Sequence, residues 1–89
     1  MIKIIIVDDE KMIRQGLVTT VPWSEMGIEV VGSAENGRAA LEIAIDKKPH
    51  IILTDIRMPK MDGIELLKRI KEELPKTKVL ILSGYDDFS

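Results

Sequence analysis

The chain has 89 residues, with 13 basic and 15 acidic side chains and a formal charge of −2, a length that supports one small domain. A hydrophobic fraction of 45% beside 31% charged residues argues against intrinsic disorder, and the charges are interspersed, the nearest thing to a basic run being Lys47-Lys48, so no basic stripe for nucleic acid is visible. No apolar run approaches the ~18 residues of a membrane span and no signal segment opens the chain, while the absence of cysteine removes disulfides, thiolate catalysis and zinc-thiolate sites together. Lys3-Ile-Ile-Ile-Val7 is short, β-branched and continuous, as expected of a strand buried on both faces. Residues about 10 to 20 follow, with Met12, Ile13, Gly16 and Leu17 at helical spacing. Pro22-Trp23-Ser24-Glu25-Met26-Gly27 reads as a helix end or short turn closed by glycine.

Ile28 to Ser33 is a second strand, broken by Asn36-Gly37. Residues about 37 to 48 form a second helix carrying Ala40, Leu41, Ala44 and Ile45, stopped by Pro49. Ile51-Ile-Leu-Thr54 is a third strand, followed by a loop holding Pro59. Asp62 with Glu65 three positions later marks a helix start of the capping-box kind. Ile64, Leu67, Ile70 and Leu74 trace the expected buried stripe of that helix, and Pro75 ends it. Val79-Leu-Ile-Leu82 is a fourth strand, ended by Ser83-Gly84. The βαβαβαβ pattern, without repeats or linkers, predicts an α/β domain with a parallel, helix-covered sheet and right-handed crossovers.

Binding groups in such sheets collect at the carboxyl ends of the strands. Asp8-Asp9-Glu10 follows the first strand, Asp55 the third and Ser83-Gly84 the fourth. If strands one, three and four are neighbours, three aspartates and a hydroxyl converge on one edge. Aspartates so close repel one another, and at least one pKa rises unless a cation intervenes. A hard divalent ion relieves the repulsion; magnesium takes one or two carboxylates and leaves room for phosphate oxygens. A carboxylate beside such an ion can attack phosphorus and become an acyl phosphate.

Blander readings stand beside these. Asp8-Asp9 alone is a strand-to-helix turn and N-cap; Asp62 is a helix cap, and Glu10 a rim residue or a first-turn dipole partner. Asp55 has no structural excuse, since a carboxylate gains little by sitting in a buried crevice. His50, the only imidazole, precedes the third strand. At ~3.3 Å per residue it lies about 16 Å from Asp55, at the wrong end of the sheet. Trp23 and Tyr85 are packing aromatics, and Asp86-Asp87 reads as the cap of a further helix. No phosphate-cradling glycine loop supports nucleotide binding.

With these residues in hand, the chain resembles the receiver domain of bacterial two-component response regulators. The resemblance is carried by Ile5-Ile6-Val7-Asp8-Asp9-Glu10, by Ala34-Glu35-Asn36-Gly37-Arg38-Ala39-Ala40-Leu41, by the run from Pro49 through Asp55-Ile56-Arg57-Met58-Pro59-Lys60-Met61-Asp62-Gly63, and by Ile81-Leu82-Ser83-Gly84-Tyr85. It implies a flavodoxin-like doubly wound sheet of order 2-1-3-4, with residues 1–89 forming one receiver domain. It implies that Asp55 is the phosphoacceptor, served by a sensor histidine kinase. It implies that Asp8, Asp9, Asp55 and the backbone carbonyl of Arg57 hold Mg2+, and that Ser83 is the switch hydroxyl. The same resemblance implies DNA contact only through a separate output domain of AraC type, while the lack of cysteine fits a cytoplasmic location and the lack of a long apolar run argues against a membrane partner.

The resemblance stops at Ser89, where the family continues through a fourth helix, a fifth strand and a fifth helix. With them go the lysine that pairs with the phosphoryl group and an aromatic switch residue; Lys60 cannot be assigned the lysine's role. The expectation for these residues alone is retained metal binding, impaired phosphorylation, and self-association through an exposed fourth-strand edge. Two other functions compete: a non-phosphorylated interaction module, and a magnesium-dependent Asp-nucleophile phosphohydrolase. The latter carries a second acid two residues after its nucleophile, where Arg57 stands here.

Overall fold

The computed structural model describes residues 1–58 and 60–82. Strands β1 (Ile2–Val7), β2 (Ile28–Ala34), β3 (Ile51–Asp55) and β4 (Lys78–Leu82) form one parallel sheet in the order β2-β1-β3-β4. Helices α1 (Lys11–Thr20), α2 (Gly37–Lys47) and α3 (Gly63–Glu73) make the crossovers. The expected fold class and strand order are borne out. β1 runs through the middle of the sheet, and Ile4, Ile5, Ile6 and Val7 are all buried, which is why its sequence is continuously apolar rather than alternating. One extra residue, Val31, enters β2 where the pairing with β1 shifts between Ile4 and Ile5. Among the described residues no helix is long and apolar enough to cross a membrane.

The main core lies on one side of the sheet. Ile5, Val7 and Ile52 meet Ala40, Leu41 and Ala44 of α2 and Leu66 and Ile70 of α3. Alternation sends Ile4 and Ile6 to the other side, where α1 lies against β1. One stripe assignment needs correcting, and the other helices show which of their apolar residues are buried. Helix α3 buries Gly63, Leu66 and Ile70, whereas Ile64 is 44% exposed. In α2 the buried set is Gly37, Ala40, Leu41 and Ala44, and Ile45 is exposed. α1 fully buries nothing, with Met12 83% exposed and Ile13 also on the surface.

The turns follow their chemistry. Gly27 closes the segment after α1 with a left-handed φ of 76°, a conformation that costs glycine little. The Trp23 indole N–H donates to the Leu17 carbonyl at 2.9 Å, tying this turn to the end of α1. Helix α2 stops at Lys47, and Lys48 takes the left-handed conformation just before Pro49. His50 is paired with Lys3: its Nδ1 accepts from the Lys3 N–H at 2.9 Å, and its own N–H donates to the Lys3 carbonyl at 2.9 Å. It therefore staples the starts of β1 and β3, at the end of the sheet remote from Asp8 and Asp55. The expectations for Pro59, Ser83, Gly84, Tyr85, Asp86, Asp87 and Phe88 lie outside the described residues.

Candidate functional site

The site begins where β1 and β3 end. These strands are parallel neighbours with Val7 opposite Thr54, so the next residues, Asp8 and Asp55, leave the sheet side by side. The Asp8 N–H donates to the Ala34 carbonyl at 3.0 Å, extending the ladder with β2 by one residue. Its Oδ1 then accepts from the Glu10 N–H at 2.9 Å, turning the chain into α1. Arg14, one turn into that helix, donates from Nη1 to the Asp8 carbonyl at 2.7 Å. Asp55 is held by its own neighbour, with Oδ1 accepting from the Ile56 N–H at 2.8 Å.

Asp8, Asp9 and Asp55 each contribute a carboxylate oxygen to one cluster, all within 4.8 Å of one another. Asp8 is buried at 4% exposure, Asp55 is half-buried and Asp9 is exposed. Burial pushes the Asp8 carboxyl above its ordinary value; the Glu10 amide hydrogen bond opposes this, and the charges of Asp55, Asp9 and Glu10 add to it. An all-oxygen donor set, with one acid desolvated and repelled by its neighbours, matches what a hard divalent cation relieves. These three residues could hold a metal ion. Beside them opens a cavity of about 410 Å³ lined by Asp9, Ile56, Arg57, Met58 and Asp62.

The stretch after Asp55 is anchored at both ends by helix starts. Gly63, the first residue of α3, donates its N–H to the Ile56 carbonyl at 2.8 Å, and Gly37, the first residue of α2, donates to the Met61 carbonyl at 2.9 Å. The buried Thr54 hydroxyl bonds the Asp55 carbonyl at 2.9 Å and reaches the Met58 sulfur at 3.8 Å.

Of the residues singled out from sequence, Asp8, Asp9 and Asp55 come together, and Arg57 joins Asp9 in the cavity wall. Asp62 caps α3, accepting the Glu65 N–H at 2.9 Å, and also lines that cavity. Glu10 occupies the N-cap position of α1 without a side-chain cap bond. Ser83 lies outside the described residues. Sequence reasoning missed Arg14, Thr54, Gly37 and Gly63, and it took Asn36 only as a strand breaker. Asn36 is in fact the buried N-cap of α2, its side chain accepting from the Ala39 N–H at 2.8 Å. The Asn-to-Ala39 spacing of three carried that signal.

Comparison with known proteins identifies the family. Residues 4–89 match the model of the response regulator receiver domain. The chain is 40% identical over 88 residues to the uncharacterized transcriptional regulatory protein YesN of Bacillus subtilis, covering 99% of this chain and 24% of that protein. It is 41% identical to the transcriptional regulatory protein HptR of Staphylococcus aureus, covering 99% of this chain and 34% of the relative. The chain thus spans about a quarter to a third of these curated relatives. Among solved structures, the REC domain of AraT, a response regulator from Geobacillus stearothermophilus, superposes with a TM-score of 0.90 at 41% identity, covering 97% of this chain and 67% of that one. A two-component transcriptional regulator AraC from Clostridium phytofermentans gives 0.88 at 41% identity, covering 99% and 68%. On sequence and fold, the chain belongs to the response regulator receiver domain family.

Proposed function

We propose that residues 1–89 act as one receiver domain in which Asp55 accepts a phosphoryl group from the phosphohistidine of a sensor kinase. The observation that carries this reading is the cluster of Asp8, Asp9 and Asp55 oxygens within 4.8 Å at the ends of β1 and β3. Mg2+ is the ion that suits it, held by these three side chains and the backbone carbonyl of Arg57. When bound, the ion neutralises charge on the transferring phosphoryl oxygens. Asp55 Oδ1 is occupied by the Ile56 N–H, so Oδ2 is the nucleophile. The oxygen–phosphorus bond forms as the phosphorus–nitrogen bond of the phosphohistidine breaks, and the histidine nitrogen keeps the electron pair. Ser83 serves as the switch hydroxyl, donating to a phosphoryl oxygen.

The modification adds about −1.5 to −2 charge, which favours one of two arrangements of the adjacent loops. The domain switches rather than turning over an external substrate. The names of YesN and HptR support a transcriptional output, and that of the Clostridium regulator one of AraC type; a cytoplasmic setting and DNA contact by a separate domain belong to the same proposal. The exposed β4 edge supports self-association of these 89 residues. Arg57, in the place of a second acid, disfavours a phosphohydrolase.

The test is incubation with a small acyl phosphate and Mg2+, followed by intact and peptide mass analysis. One phosphoryl group on Asp55, absent in Asp55→Asn, is expected. A phosphoryl group on another residue, or none at all, overturns the reading.

A further inference from the structure

Two glycines hold the backbone that follows Asp55. A Cβ built on Gly63 would lie 2.4 Å from the Asp55 carbonyl oxygen, and one built on Gly37 would lie 2.3 Å from the Met61 carbonyl oxygen. Neither gap admits a side chain, since the obstacle in each case is backbone. Both glycines are buried, and each spends its N–H, one of the orphan donors of a helix start, on a carbonyl of this stretch at 2.8 to 2.9 Å. Gly63 is the direct continuation of that stretch. Gly37 is not: it arrives from the other side of β2, eighteen positions before Asp55, and no chemistry of its own explains so close a fit.

From this juxtaposition we infer that Gly37 is a positioning residue for the phosphoryl-transfer site, acting through Met61 and Gly63 on the backbone at Ile56 and Arg57. The inference rests on the site reading above, because that backbone carries Arg57. Gly63 holds the Ile56 carbonyl, next to Arg57, and Gly37 holds Met61, two residues before Gly63, so the two anchors are linked through Met61–Gly63. A methyl group at position 37 must push Met61 away or pull α2 back. Either movement lifts one anchor while leaving Asp8, Asp9 and Asp55 in place. Supports of this kind change metal affinity or activity by about ten- to a hundred-fold when lost.

The experiment compares wild type, Gly37→Ala and Gly32→Ala. Gly32 lies on β2, where an added Cβ would meet the Ile43 side chain at 2.8 Å, so it reports what a crowded methyl does to the fold alone. Each protein is titrated with Mg2+ by calorimetry and phosphorylated with a small acyl phosphate, at a temperature where melting curves show it folded. Gly37→Ala is expected to weaken Mg2+ binding and slow phosphorylation about tenfold or more, with Gly32→Ala matching wild type on both. Equal values for the two variants overturn the inference. Failure of wild type to bind Mg2+ or take up phosphate overturns the site reading instead.

Should Gly37→Ala not fold, amide hydrogen exchange on the wild-type protein decides. Coupling is reciprocal, so Mg2+ is expected to slow exchange of the Gly37 N–H several-fold and leave the Ala39 N–H, bonded within the α2 cap, unchanged. No difference between the two amides on metal addition overturns the inference.

Discussion

Asp8 carries the electrostatic tension of the site. Its carboxylate is 4% exposed, and burial raises its pKa, reinforced by Asp55, Asp9 and Glu10 against the Glu10 amide bond. A raised carboxyl pKa means that folding disfavours the charged form. In the metal-free protein this penalty is present in full above the raised value. It is released as pH falls through that value towards the unfolded value of 3.8, so Asp8 adds stability on acidification across that window. A bound cation reverses the balance, and its apparent affinity is expected to fall across the same window as protons compete. Asp8→Asn keeps an oxygen for the Glu10 N–H while removing the charge. It is expected to raise the metal-free melting temperature, because the buried charge is gone, and to abolish the further rise caused by Mg2+. Thermal melts with and without the ion check both halves. The acids themselves were legible in the sequence, because a short apolar strand announces where it ends and functional groups gather there. Which oxygens are already engaged was not legible: the Asp8–Glu10 and Asp55–Ile56 bonds depend on turn geometry that periodicity does not encode.

Helix faces were read less well than helix positions, and the reason is visible in α3. The sequence offers two overlapping apolar stripes, one through Ile64, Leu67, Ile70 and Leu74 and one through Gly63, Leu66 and Ile70. The second is buried because Gly63 sits against the Asp55 backbone, which sets the rotation of the helix on the sheet. A glycine is plain in the sequence, but what it touches is a long-range fact. In α2, Gly37 and Asn36 fix where the helix starts, and Ile45 falls on its exposed side. Both helices are capped by side chains, yet the caps differ in burial: Asn36 is 7% exposed, whereas Asp62 lies at the surface. Removing the buried cap also strands the Ala39 N–H away from water. Asn36→Ala is therefore expected to cost about 1–2 kcal/mol and Asp62→Ala about 0.5–1, measured as midpoint shifts in urea with unchanged slope. Equal losses would mean that water reaches the first turn of α2 as readily as that of α3.

Across the whole molecule the two faces of the sheet are covered unequally. Ile6, Leu53 and Leu80 form one row through the register of β1, β3 and β4, on the face α1 covers. Exposure climbs along it, from 0% at Ile6 through a half-buried Leu53 to 53% at Leu80. Leu82, two residues further on β4, is also 40% exposed. Among the described residues β4 pairs only with β3, leaving its other edge without a strand partner. An apolar edge strand is a template for another chain, and the apolar face beside it adds hydrophobic drive of about 25 cal/mol per Å² removed from water. These 89 residues are expected to self-associate in sedimentation velocity, with the average mass rising with concentration. Leu80→Lys places a charge in the middle of the exposed strand without touching the α2–α3 core, so it is expected to return the protein to monomer while keeping its circular dichroism and its Mg2+ binding. High salt separates the two forces at work: edge pairing with apolar burial persists or strengthens, whereas association through the interspersed surface charges weakens. A folded wild-type monomer at every concentration would end the self-association proposal, and it would leave the acidic site at the opposite strand junction untouched.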